Sequence, residues 1–271
     1  MNHLFLIIIF VSSNIFSQSK DVVKFDLKID NQLYFNKQYN DALIDILQKI
    51  SNDKVNPNLY FQASLIYLKL DSLDRSGEYI KEAINKDKAN KDYRKLWENI
   101  DLLRSELKNS IKSFQNGYKD DAIESLTNAV IKFPNNAILY YNLGKFYYKN
   151  QDYDNAVRNY NKAIDLNPFN SQYQESVKNI SKRMTQKGKE ELKRREYEFA
   201  ENYLVKALDY YENNVSALYY LGEVYLKRQK YQDALQVFNR GLAINAADYR
   251  FNFKVAKIYQ REQDYSKAIT F

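Results

Sequence analysis

Apolar positions recur along most of this chain in the three- and four-residue steps of amphipathic helices. The clearest run is Tyr93, Leu96, Ile100, Leu103, Leu107, Ile111 and Phe114, one unbroken apolar stripe. It predicts a helix of about 24 residues, about 36 Å long. Tyr173, Val177, Ile180, Met184 and Leu192 sketch a second such helix. Tyr93 and Tyr173, and the pairs Asn99-Ile100 and Asn179-Ile180, lie 80 residues apart, so the element is duplicated.

The pattern repeats at a shorter period too. Ala137–Asn170 and Val215–Asp248 are both 34 residues long and align throughout. The same frame starts units at Val23, Pro57, Leu103, Ala137, Ser181 and Val215, and a partial unit at Tyr249. Position 20 is then Ala42, Ser76, Ala122, Ala156, Ala200, Ala234 and Ala268, always small. Position 27 is Ala83, Ala129, Ala163, Ala207 and Gly241, with Lys49 the exception. Small residues there let two antiparallel helices approach closely. Gly144, Gly188 and Gly222 share position 8. Tyr39, Tyr153, Tyr197, Tyr231 and Tyr265 share position 17, where the second helix of a unit begins. Pro134 and Pro168 stand past the second helix, where a proline cannot continue it.

Tyr140, Leu143, Gly144, Tyr147, Ala156, Tyr160, Ala163 and Pro168 resemble the tetratricopeptide repeat, whose pattern is W-x2-L-G-x2-Y, then A-x3-F, then P. Leu218, Leu221, Gly222, Tyr225, Ala234, Phe238 and Gly241 repeat it, with Ala246 in place of the proline. The resemblance covers residues 23–271 and implies an all-α fold, a right-handed α-solenoid of helix-turn-helix repeats. The units are 23–56, 57–90, 103–136, 137–170, 181–214, 215–248 and the partial 249–271. Segments 91–102 and 171–180 extend the first helices of two of them. The last unit stops at Phe271, inside its second helix, which leaves an apolar face for a partner, for fraying or for more chain.

The amino terminus breaks the pattern. Leu4–Val11 is an apolar run of eight, too short to span a bilayer and of the right length for a signal-peptide core. Residues 1–17 are expected to be a signal peptide, cut between Ser17 and Gln18 or kept as an anchor, with 18–22 a short linker. The leader resembles those of exported proteins of some Gram-negative bacteria, which places the chain in the periplasm or at the cell surface.

Composition then removes chemistry. There is no cysteine, and the one histidine, His3, lies in the leader. Thiolate catalysis, cysteine zinc sites and histidine-based nucleophile pairs are excluded from the mature chain. The six glycines are isolated, so no phosphate-cradling loop forms. Asp152-Tyr153-Asp154 reads as a turn and helix cap rather than a calcium loop. No catalytic residue, metal ligand or cofactor is expected.

Charge adds one candidate. Of the net +7, a net +6 sits between Lys178 and Arg195. Lys178, Lys182, Lys189 and Lys193 fall on one helix face, an expected anion-binding surface for acidic glycan or lipid. Interleaved aromatics for base stacking are missing from that stretch, and no nucleic acid is expected. The bland alternative is a solvated helix face.

The resemblance supplies the other candidate. It implies a concave groove lined by first helices at positions 2, 5, 9, 12 and 13, binding a protein or peptide. Those positions include Phe61 and Lys69, then Tyr141, Lys145, Tyr148 and Lys149, then Tyr219, Glu223 and Lys227. A chaperone-type carboxylate clamp is not supported, because Leu107 and Ile111 occupy two of its polar positions. The expected function is a non-catalytic exported scaffold for protein–protein interaction in an envelope complex. The alternatives are the sensor or accessory region of a larger membrane protein, or a glycan- or lipid-binding module working through the basic helix.

Overall fold

The computed structural model describes residues 39–168 and 170–271. The expected leader and linker, and residues 23–38 of the unit at Val23, lie outside the described residues. The first-helix members are α2 (Pro57–Lys69), α4 (Lys91–Gln115), α6 (Ala137–Lys149), α8 (Ser171–Arg194), α10 (Val215–Lys227) and α12 (Tyr249–Arg261). The second-helix members are α1 (Tyr39–Asn52), α3 (Leu73–Lys86), α5 (Lys119–Lys132), α7 (Tyr153–Leu166), α9 (Tyr197–Tyr210), α11 (Tyr231–Ile244) and the short α13 (Tyr265–Ala268). No strand occurs among the described residues. Each helix packs on the next in the chain, and α8 also meets α10. That is an α-solenoid. The two duplicated stripes are single helices of 25 and 24 residues, α4 and α8.

Caps set where first helices begin. Asn56, Asn90, Asn170, Asn214 and Asp248 each accept a backbone N–H of the first turn with the side-chain oxygen. The turn from first to second helix is equally regular. Position 15 takes the left-handed conformation in Asp71, Gly117, Gln151, Arg195, Gln229 and Gln263, with φ from 58° to 94°. Only Gly117 does so without a Cβ penalty.

The helix crossings explain the small residues. Ala122, Ala129, Ala156, Ala163, Ala200, Ala207 and Ala234 are fully buried. A Cβ at Gly144 would sit 2.6 Å from the Tyr160 ring, and one at Gly188 2.5 Å from Leu204. The unit at Pro57 solves the same crossing with hydroxyls. Ser64 Oγ donates to Ser76 O at 2.8 Å, and Ser76 Oγ returns the bond to Ser64 O at 2.7 Å. Both serines are buried, so the reciprocal pair leaves no polar group unmet.

One contact spans about a hundred residues of chain. The α2–α3 turn reaches the α7–α8 junction, past α4 and α6 in chain order. Asp71 Oδ2 accepts from Tyr173 OH at 2.5 Å and from Asn167 Nδ2 at 2.8 Å. Asn167 Nδ2 also donates to Lys69 O at 3.0 Å. Tyr173 is buried. Burial, then the Asp71 bond, push its hydroxyl far above the usual tyrosine range. The N-terminal half is thereby bridged across three repeats.

Candidate functional site

The first-helix face of the C-terminal half carries two adjoining cavities. The first, about 410 Å³, lies between α8 and α10. Lys178, Lys182, Thr185, Gln186 and Lys189 line it from α8. Tyr211, Asn213, Asn214, Val215, Ser216 and Tyr220 line it from the α9–α10 link and α10. Its floor is a buried polar network. Asn214 Nδ2 donates to Ser181 Oγ at 2.7 Å and to Thr185 Oγ1 at 3.0 Å. Ser181 Oγ in turn donates to Ala207 O at 2.6 Å. The network fixes α8, α9 and α10 against one another.

The second cavity, also about 410 Å³, lies between α10 and α12. It shares Ser216 and Tyr220 with the first and adds Tyr219, Tyr249, Arg250, Phe253 and Lys254. Arg250 grips Asp248 with two bonds, of 3.0 and 2.6 Å, which hold that carboxyl below its ordinary range. Lys254 pairs with Glu223 at 2.7 Å, both side chains 21% exposed. Tyr249 and Phe253 are 78% and 60% exposed.

The expected groove residues divide. Tyr219 lines the second cavity and also packs edge-on to Phe251. Glu223 is the partner of Lys254. Tyr141 packs between Tyr160 and Tyr173, with Lys145 Nζ 5.4 Å from its ring centre. Tyr148 meets Tyr153 edge-on, and Phe61 lies 4.9 Å from the Tyr93 ring. These rings fill space between helices. Lys69 is half-buried at the end of α2, and Lys149 and Lys227 are exposed at the ends of α6 and α10.

The basic face of α8 divides too. Lys178, Lys182 and Lys189 line the first cavity, whereas Lys193 is exposed beyond it. Lys182 and Lys189 stand at repeat positions 2 and 9. The anion-binding candidate and the groove candidate are therefore one surface. The aromatics missing from the basic stretch arrive from neighbouring elements. Lys178 Nζ lies 5.5 Å from the Tyr211 ring centre and Lys189 Nζ 5.2 Å from that of Tyr220. Arg250 and Phe253 went unnoticed in the sequence, although they hold positions 2 and 5 of the partial unit at Tyr249. Tyr220 and Lys254, at position 6, had no such pointer.

Asp152 is a helix cap, its Oδ1 accepting from Asn155 N at 3.1 Å. Among the described residues no group of three or more His, Cys, Asp or Glu could hold a metal ion. Among them, too, no helix is long and apolar enough to cross a membrane.

Comparison with known proteins agrees with the repeat frame. Tetratricopeptide-repeat family models match residues 57–90, 137–170 and 185–249. A TPR repeat-containing protein of Methanocaldococcus jannaschii is 29% identical over 153 residues, 56% of this chain. The match spans only 25% of that relative's length. Among solved structures, MamA is similar at 19% identity and a TM-score of 0.33, over 59% of this chain and 88% of that one. The P58(IPK) TPR domain is similar at 13% identity and a TM-score of 0.33, over 90% and 89%. With three stretches matched in the frame that its own helices follow, the chain belongs to the tetratricopeptide-repeat family.

Proposed function

We propose that the chain is an exported, non-catalytic scaffold that holds another protein of the cell envelope on the first-helix face of its C-terminal half. The observation that carries the reading is the pair of adjoining cavities between α8, α10 and α12. They share Ser216 and Tyr220 as lining, which suits a chain lying across three helices. Tetratricopeptide repeats generally serve protein–protein interaction, and the family match supports that role here. Export rests on the apolar run Leu4–Val11 and the small residue Ser17 before Gln18.

A photo-crosslinking residue at Ser216, in the native host, tests the reading. The expected result is one crosslinked protein in the envelope fraction, absent when the probe sits at Glu198 on α9. The purified chain is expected to begin at Gln18 or to fractionate with the membrane. Equal crosslinking from both positions, or a cytosolic chain, overturns the proposal.

A further inference from the structure

We infer that the segment held in this groove is acidic at one part and bulky and apolar at another. Its carboxylates sit in the α8–α10 cavity, about three residues from an apolar side chain in the α10–α12 cavity. This rests on the groove reading above and adds the chemistry of the occupant.

The two cavities differ in how their cations are satisfied. The α8–α10 cavity is lined by three lysines and no carboxylate. Among the described residues, neither Lys178 nor Lys189 has a carboxylate at ion-pair distance; each lies against a tyrosine ring. A ring face orients an ammonium without neutralising it. Lys182 pairs with Glu175 at 2.9 Å, but both side chains are more than half exposed, so that pair exchanges readily with an incoming anion. Lys178 to Lys189 covers about 16 Å of helix, room for several carboxylates.

In the α10–α12 cavity both cations already have partners, Asp248 for Arg250 and Glu223 for Lys254. What remains uncovered is ring surface, above all Tyr249 and Phe253. A charge-balanced cavity with exposed rings takes an apolar side chain. Packed helices lie about 8–10 Å apart, the reach of roughly three extended residues, which sets the spacing between the two recognised groups.

A peptide fits this division better than a uniform polyanion. An acidic polysaccharide or an anionic membrane would meet free cations only as far as Tyr220, and then a neutral aromatic stretch. A peptide can change its side chains at that boundary.

The test uses the full chain and dye-labelled synthetic peptides of about twelve residues. Each carries three glutamates placed three residues before or after a tryptophan. At least one order is expected to bind, about tenfold more weakly once salt is raised from 0.05 M to 0.5 M. Lys178→Glu/Lys189→Glu, with the milder Lys178→Gln/Lys189→Gln checked for retained helicity, is expected to cost at least about tenfold. Phe253→Asp is expected to weaken binding by about tenfold, and to make the tryptophan in the peptide unimportant. The inference falls if neither order binds, or if the lysine variants bind as wild type. It falls equally if oligogalacturonate or phosphatidylglycerol vesicles bind and the peptides do not. Crosslinking from Ser216 that persists unchanged in Lys178→Glu/Lys189→Glu would leave the groove reading standing and remove the acidic occupant. Loss of crosslinking in the wild type would remove both.

Discussion

The repeat that starts at Leu103 and the repeat that starts at Ser181 share a backbone and differ in what their first-helix faces have left to offer. Both begin with long helices, α4 and α8. Position 2 is Arg104 in one and Lys182 in the other, and position 9 is Ile111 and Lys189. In the unit that follows, Ile138 faces Ser216 in the alignment and Asn142 faces Tyr220. The N-terminal set is satisfied internally. The Arg104 guanidinium donates to Leu73 O at 2.8 Å and lies 3.2 Å from Asp74. Asn142 donates to Ile138 O at 2.7 Å, while Ile111 and Ile138 pack on the Leu103–Leu107–Leu139 cluster. The Asp71–Tyr173 bridge then ties that half together. The C-terminal set keeps Lys189 without an internal carboxylate and Lys182 with only the exposed Glu175 pair, beside the uncovered rings of Tyr249 and Phe253. Since the same fold builds both, the basic cleft is not a by-product of the solenoid. It is a property of a few side chains.

The harshest way to break the comparison is Gly222→Val. Its added Cβ would run into the ring of Phe238, which is fully buried. Overpacking of this kind costs about 3 kcal/mol. Solenoid stability is largely local, so hydrogen exchange should lose protection across α8–α12 first and keep it in α4–α7. Crosslinking from Ser216 should vanish. Simultaneous loss in both halves would show that they are one cooperative unit.

Next in size is Asp71→Ala. It leaves the buried Tyr173 hydroxyl without its acceptor, a loss of about 2 kcal/mol in urea unfolding. Tyr173→Phe removes the donor as well as the need and should cost about 1 kcal/mol. Neither should change crosslinking from Ser216. If either does, the bridge and the open cleft are coupled.

These two variants also mark what the sequence discloses. The Gly222 crossing was legible, because Gly144, Gly188 and Gly222 share position 8 and position 20 is small in every unit, the offsets at which a helix pair needs small residues. The long helices were legible from their stripes. The bridge was not. It joins residues about a hundred positions apart, and Asp71 points to Tyr173 only because position 15 takes a left-handed turn that no glycine announces there. The site was half legible for a related reason. Helical periodicity put Lys178, Lys182 and Lys189 on one face, and family positions put Tyr219 in the groove. That these are one surface follows from how α8, α10 and α12 stack, which no single-helix pattern contains. The same stacking packs Tyr141, half-buried, against Tyr160 and Tyr173.

A transplant sharpens the contrast without breaking the fold. Lys189→Ile with Ser216→Ile gives the C-terminal cleft the side chains that the N-terminal repeat carries at the same positions. Binding of the acidic-aromatic peptide should fall about tenfold, about 1.4 kcal/mol. The thermal midpoint should move by no more than about 2 °C, because both positions face solvent or the cleft rather than the core.

The smallest effect concerns an ionic link between the halves. Asp154 on α7 accepts from Lys206 Nζ at 2.8 Å and from Tyr210 OH at 2.5 Å, both on α9. Those bonds hold its carboxyl below the ordinary value of 3.8. A carboxyl depressed by folding adds stability above its unfolded value and loses it as pH falls through the folded one. Asp154→Asn should therefore lower the urea midpoint at pH 7 and converge with wild type only as pH falls through the folded value, which lies below 3.8. Lys206 and Asp154 are about half exposed, so the difference should be about 0.5 kcal/mol. Tyr210 gives the opposite limb. Burial, then the Asp154 bond, raise its hydroxyl above 10, so its contribution holds below pH 10 and fades as pH rises further. If the two proteins still differ once pH has fallen well below the folded value and the carboxyl is protonated, the carboxylate is not the source of the link, and helix packing through α8 joins the bridged half to the open one.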